Sequence, residues 1–221
     1  MDIPTDKSLK LNSITIDSSS AITDLCKLGA MTQTDKSPYN KVTHRHPYTG
    51  VYALLFSRFQ YQPIQFAEIG IAGGASILMW SFFFKHEDTK IFAFDRDSDF
   101  VQNVRNYNLP NVVAGMMDVY DEETIRFGLS SSEKQFDVIL DDSIHELTAQ
   151  LKIIHTALPF LKPGGMIIIE DVFRQAPEED YRAGIADILD QFSYVSFIQT
   201  EHKDRYSPGW DNDKLLVLIK K

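Results

Sequence analysis

The chain has 221 residues, 43% of them hydrophobic, which is enough to bury a core without disulfide or metal staples and too apolar for a disordered chain. Its formal net charge is −9 with no Lys/Arg cluster, which argues against the basic face of a nucleic-acid binder and for a small-molecule ligand. No run of about 18 apolar residues is present, so no membrane-spanning helix is expected, and the opening Met1-Asp2-Ile3-Pro4-Thr5-Asp6-Lys7 has no apolar signal core.

Residues 1–20 are polar and read as a loose or strand-like leader. Ala21 to Leu28 predicts a short helix. It holds Cys26, the only cysteine, so no intrachain disulfide can form and a reducing cytoplasm is expected. Segment 33–48 contains Gln33-Thr34-Asp35-Lys36-Ser37-Pro38-Tyr39 and a His44/His46/Tyr48 cluster. It is too irregular for a core element and reads as a lid, with Tyr39, His44 and His46 as candidate substrate contacts. Tyr52, Leu55, Phe56 and Phe59 follow at helical spacing and predict a helix packed on a sheet.

From residue 64 strands and helices alternate. Strands are expected at Ile64–Ile69, Ile91–Phe94, Val112–Ala114, Val138–Leu140 and Met166–Ile169. Helices are expected at Ser76–Phe84, Asp97–Tyr107, Glu146–Leu161 and Asp180–Phe192, with a turn at Lys162-Pro163-Gly164-Gly165. Two further strands, Tyr194–Thr200 and Leu215–Ile219, have no helix between them, which suggests one antiparallel strand. The pattern predicts an α/β, Rossmann-like, doubly wound sheet of seven strands, mostly parallel. Residues 1–60 are expected as leader and lid, and 61–221 as the main domain. The apolar Trp80-to-Phe84 stretch is a candidate contact for a homo-oligomer.

Two short runs end in acids. Val138-Ile139-Leu140 leads into Asp141-Asp142-Ser143-Ile144-His145, and Met166-Ile167-Ile168-Ile169 into Glu170-Asp171. In open α/β sheets chemistry gathers outside the carboxyl ends of the strands. If these strands are neighbours, four carboxylates and a histidine share one space. Crowded carboxylates must protonate or find a cation, and a hard divalent ion with oxygen ligands is the simplest solution. The plainer readings are that Asp142 caps the next helix and that Glu170 and Asp171 end a solvated strand.

The first strand of the alternation runs into Glu68-Ile69-Gly70-Ile71-Ala72-Gly73-Gly74-Ala75-Ser76, and Asp95 closes the next strand. Small residues let the backbone turn sharply beside a ligand, and a strand-terminal acid can accept hydrogen bonds from ribose hydroxyls. A dinucleotide fingerprint would need glycine where Ala72 stands. The pattern Glu-x-Gly-x-(Gly/Ala)-x-Gly instead resembles the S-adenosylmethionine site of class I methyltransferases. Asp118 after the third strand, Asp141 ending the fourth, and Leu161-Lys162-Pro163-Gly164-Gly165 before the fifth extend the resemblance over about residues 64–221. It implies a cofactor site of Glu68, Gly70, Ala72, Gly74, Ser76, Asp95, Asp118 and Asp141.

Gln33-Thr34-Asp35-Lys36, followed by Tyr39 and Tyr52, resembles the Gly-Thr-Asp-Lys opening of sugar O-methyltransferases of macrolide and rhamnosyl tetracenomycin pathways, with Gln33 in place of the glycine. In that group an Asp-x-x-His segment and a Glu-Asp pair frame a magnesium site. The resemblance implies Mg²⁺ (or Mn²⁺) on Asp142, Glu170 and Asp171, with Asp142 and His145 as catalytic residues and His145 as general base. The acceptor it implies is a small-molecule hydroxyl, most simply of a sugar. A phenol, amine or phosphorus oxyacid acceptor, a nucleoside-binding protein without chemistry, and a nicotinamide dehydrogenase are the competing readings.

Overall fold

The computed structural model describes residues 12–41 and 44–221; leader residues 1–11 lie outside the described residues. In chain order its strands are β1 (Asn12–Asp17), β2 (Gln65–Ile69), β3 (Lys90–Asp95), β4 (Val112–Met116), β5 (Phe136–Asp141), β6 (Leu161–Ile169), β7 (Phe192–Glu201) and β8 (Lys214–Lys220). They form one sheet in the order β1-β7-β8-β6-β5-β2-β3-β4. Only β8 runs antiparallel to its neighbours β6 and β7. The fold is the expected Rossmann-like one with an eighth strand, because β1 pairs in parallel with β7 along Asn12↔Ser196 to Asp17↔Glu201. Strand β1, within the segment expected as leader, lies in the same sheet as the strands after residue 60.

Alternation along the strands assigns side chains to two faces. Phe66 of β2 and Leu215 and Val217 of β8 pack with α1 (Asp24–Thr32), α2 (Tyr48–Phe56), α3 (Ala75–Phe83) and Val104 of α4 (Ser98–Asn106). Ala67, Ile69, Leu216 and Leu218 pack on the other face with α5 (Glu122–Leu129), α6 (Leu147–Ala157) and α7 (Glu178–Gly184). Trp80, Phe83 and Phe84 are buried within the first of these layers. The stretch offered as an oligomer contact is therefore core, with only Phe82 among its phenylalanines exposed.

Three local expectations change. Helix α5 was not anticipated; it starts where the Asp121 side chain accepts from the Glu123 amide, with Glu122 and Glu123 in the first turn favouring its N-terminal dipole. Residues 162–165 sit inside β6, where the pairing with β5 shifts register between Phe136 and Val138. Helix α7 stops at Gly184, whose missing side chain admits Leu151 of α6, instead of running to Phe192. Among the described residues no helix is long and apolar enough to cross a membrane.

Candidate active site

The carboxyl ends of β2, β5 and β6 lie side by side, and the hydrogen-bond ladder continues one residue past each. The Gly70 amide donates to Phe94 O, Asp142 to Ile69 O and Glu170 to Asp141 O, each at 2.8 Å. Three loops are thereby fixed against one another over a cavity of about 580 Å³. Gly70 adopts φ +86, and a Cβ there would lie 2.2 Å from the Asp142 carbonyl oxygen, so only glycine permits this approach.

One end of the cavity is lined by Gly70, Ala72, Ser76 and Asp95. Asp95 shapes it: one carboxylate oxygen accepts from the amides of Ile71 and Ala72 at 3.0 and 3.1 Å, the other from Asp97 at 2.9 Å. Ala72 holds a left-handed φ of 40, a strained state for alanine. The other four residues assigned to the cofactor do not line this cavity. Glu68 is fully buried beneath it and accepts from Trp80 Nε1 at 2.8 Å. Gly74 caps α3 behind the turn. Asp118 is turned to its own loop, accepting from the Tyr120 amide at 3.0 Å. Asp141 is buried and accepts from Ser143 Oγ at 2.6 Å; burial pushes its carboxyl up to about 6.

At the other end stand Asp142, His145 and Asp171, whose ligand atoms all lie within 4.8 Å of one another. Asp142 does not cap a helix, since α6 begins at Glu146 without a side-chain cap bond. His145 and Asp171 both hold left-handed backbone, at φ 58 and 56, a cost that the surrounding bonds must sustain. Asp171 accepts from Tyr48 Oη at 2.6 Å, and its second oxygen lies 3.3 Å from His145 Nε2. His145 Nδ1 has no partner among the described residues. Burial lowers the His145 ring below its usual value against the pull of Asp171, so the imidazole is neutral at neutral pH.

Glu170 differs from its sequence assignment. It is not one of the three groups whose ligand atoms converge: Lys36 Nζ bonds it at 2.8 Å and Tyr52 Oη donates to its other oxygen. The same Lys36 ammonium contacts Asp142 and stands 3.2 Å from Glu68. Lys36 is thus a buried cation among three carboxylates. Burial alone would lower its pKa, yet Asp142, Glu170 and Glu68 raise it well above the ordinary lysine value. Burial also raises the Asp142 and Glu170 carboxyls, with Lys36 pulling them back.

The lid residues divide. His44 and His46 line the cavity, whereas Tyr39 shares a 3.1 Å hydrogen bond with His202 Nε2 outside it. His46 bonds Asp213 at 2.8 Å and stacks on Tyr48. Burial opposes charge on that ring, but Asp171 and Asp213 raise it to about 9. Sequence reasoning gave no role to Lys36, Tyr48, Tyr52 or Trp210, which join the site or line its cavity. The signal for Lys36 was its place in the Gln33-Thr34-Asp35-Lys36 segment that carries the resemblance.

The donor set fits a divalent cation. Two hard carboxylates and an imidazole converge, and Glu68, Asp142, Glu170 and Asp171 outnumber the cations Lys36 and His46 that neutralise them.

Residues 67–172 match a family described as a methyltransferase domain. Over that stretch the chain is similar to a methyltransferase domain. The 8-demethyl-8-α-L-rhamnosyl tetracenomycin-C 2′-O-methyltransferase of Streptomyces olivaceus is 25% identical to it over 63% of this chain and 39% of its own length. The demethylmacrocin O-methyltransferase of Streptomyces fradiae is 26% identical over 58% of this chain and 32% of its own. The chain thus spans well under half the length of these relatives. The mycinamycin-pathway methyltransferase MycE, solved with Mg, S-adenosylhomocysteine and mycinamycin VI, superposes with a TM-score of 0.65 at 19% identity, covering 91% of this chain and 55% of that one. At that identity the likeness shows the fold alone.

Proposed function

We propose that this protein is an S-adenosylmethionine-dependent, metal-assisted O-methyltransferase acting on a sugar hydroxyl of a small molecule or glycosylated natural product. The observation that carries the reading is one cavity with two chemically distinct ends. The glycine turn and Asp95 suit a nucleoside; Asp142, His145 and Asp171 suit a hydroxyl and a cation. The rhamnosyl methyltransferase relative supports the acceptor class. The cytoplasmic setting of the reading rests on the single buried Cys26.

S-adenosylmethionine would bring an electrophilic methyl group, and a divalent cation held by Asp142 and Asp171 would acidify and orient the acceptor hydroxyl. The residues do the rest. Asp95 fixes the glycine turn that receives the nucleoside. Asp171 stands 3.3 Å from Nε2 of His145, and burial keeps the ring in the neutral form that can accept the hydroxyl proton. Glu170, bonded by Lys36 and Tyr52, stands beside the cluster as the third carboxylate that the sequence assigned to the metal. Holding donor and acceptor in line supplies much of the remaining rate.

The test is incubation with methyl-labelled S-adenosylmethionine, Mg²⁺ or Mn²⁺, and a panel of methyl rhamnopyranoside, other vicinal-diol pyranosides and catechol. The expected result is labelled pyranoside whose formation EDTA abolishes. Turnover of catechol alone would move the acceptor class to phenols. Cofactor binding without turnover of any acceptor would reject the enzymatic reading.

A further inference from the structure

Trp210 lies on the loop between β7 and β8. Ser207-Pro208-Gly209-Trp210 closes with the Trp210 amide donating to Ser207 O at 3.1 Å, and Gly209 at φ +80 supplies the left-handed third position. The loop is braced on both sides. The Arg174 amide bonds Asp211 O at 2.7 Å, Arg205 meets the Asp213 carboxylate at 2.7 Å, and Arg45 and Tyr206 form an antiparallel bridge. An indole on such a loop is held in place.

That indole is 47% exposed and lines the cavity. Phe173 stacks against it with ring centres 5.7 Å apart. His145 meets it edge-on at 6.2 Å and His44 at 6.4 Å. A large apolar surface therefore borders the carboxylates and the imidazole assigned to the hydroxyl. A pyranose has matching anatomy: a C–H face that lies on an aromatic ring and a rim of hydroxyls for carboxylates and imidazoles.

We infer that Trp210 is the specificity-determining platform for the acceptor, stacking a sugar ring so that a rim hydroxyl meets His145 and Asp142; the sugar part of this inference rests on the function proposed above. Exposed aromatic anchors in pockets carry a large share of binding energy.

The chain has two tryptophans, and Trp80 is fully buried, so acrylamide quenching of fluorescence reports on Trp210 without any need for turnover. With S-adenosylhomocysteine and Mn²⁺ present, methyl rhamnopyranoside is expected to shield Trp210 from acrylamide. Trp210→Ala should raise KM for that acceptor by about 30-fold, with kcat and S-adenosylhomocysteine affinity within about twofold. Trp210→Phe, which keeps a ring, should recover most of the loss. A turned-over pyranoside that leaves quenching unchanged, or a KM unmoved in Trp210→Ala, would overturn the platform. Wild-type turnover of catechol but no pyranoside would overturn the sugar instead, and the same two measurements with catechol would then judge Trp210.

Discussion

Lys36 reaches Asp142 and Glu170 across 106 and 134 residues of sequence, which is why its role is invisible in the local pattern Thr34-Asp35-Lys36. A charge among aromatic residues reads locally as solvated lid; only tertiary contact shows that it neutralises buried acids. Removing one partner of such a network leaves uncompensated charge in a dry place. Lys36→Met is expected to cost about 3–5 kcal/mol, read as a lower urea midpoint at unchanged slope. His145→Ala should cut turnover by about 10²–10⁴-fold, the usual worth of a positioned base, while Mn²⁺ binding measured by paramagnetic resonance persists. Loss of Mn²⁺ in that variant would make His145 a ligand. Asp142 and His145 were legible as a strand-end pair, but the bonds of Lys36 and Tyr52 to Glu170 were not. Its neighbour Asp171 takes a left-handed backbone, and that conformation is no property of the dipeptide Glu-Asp.

At the scale of elements, the strands from β2 to β6 were legible because each is a short apolar run between breakers. Strand β1 was not firmly so: it is polar, its residues 13–17 are mostly exposed, and its pairing with β7 is settled 184 positions later. Its end has a mechanical role. The Ser18 amide bonds Glu201 O at 2.9 Å, and a Cβ on Gly50 of α2 would lie 2.6 Å from Ser18 Cβ. Helix α2 carries Tyr48 and Tyr52, which bond Asp171 and Glu170. Gly50→Ala should therefore push α2 off its seat, costing about 1–3 kcal/mol. The measurable signs are a lower melting temperature together with weaker Mn²⁺ binding; a melting shift with unaltered Mn²⁺ affinity would show that α2 does not transmit to Asp171.

For the whole molecule, the order of the sheet separates two tasks. Strands β2 and β3 supply the glycine turn and Asp95; β5 and β6 supply Asp142, His145 and Asp171. Of the sequence-assigned residues, none that lines one end of the cavity belongs to the other. EDTA treatment should accordingly abolish turnover while leaving S-adenosylhomocysteine affinity, measured by calorimetry, within about twofold. A large loss of that affinity would mean that the two ends are coupled through the Gly70–Asp142 contact.

Segment 33–48 is attached to three distant parts of the chain: Lys36 to the ends of β5 and β6, Tyr39 to His202 beyond β7, and His46 to Asp213 before β8. It is bolted where a door was expected, and its bolts are made at different times. On the ribosome this stretch emerges long before these partners: Lys36 waits for Asp142 and Glu170, Tyr39 for His202, and His46 longest, for Asp213. The newborn chain therefore carries Lys36 from early in its synthesis, and the acids that the lysine neutralises reach it only as β5 and β6 join the sheet.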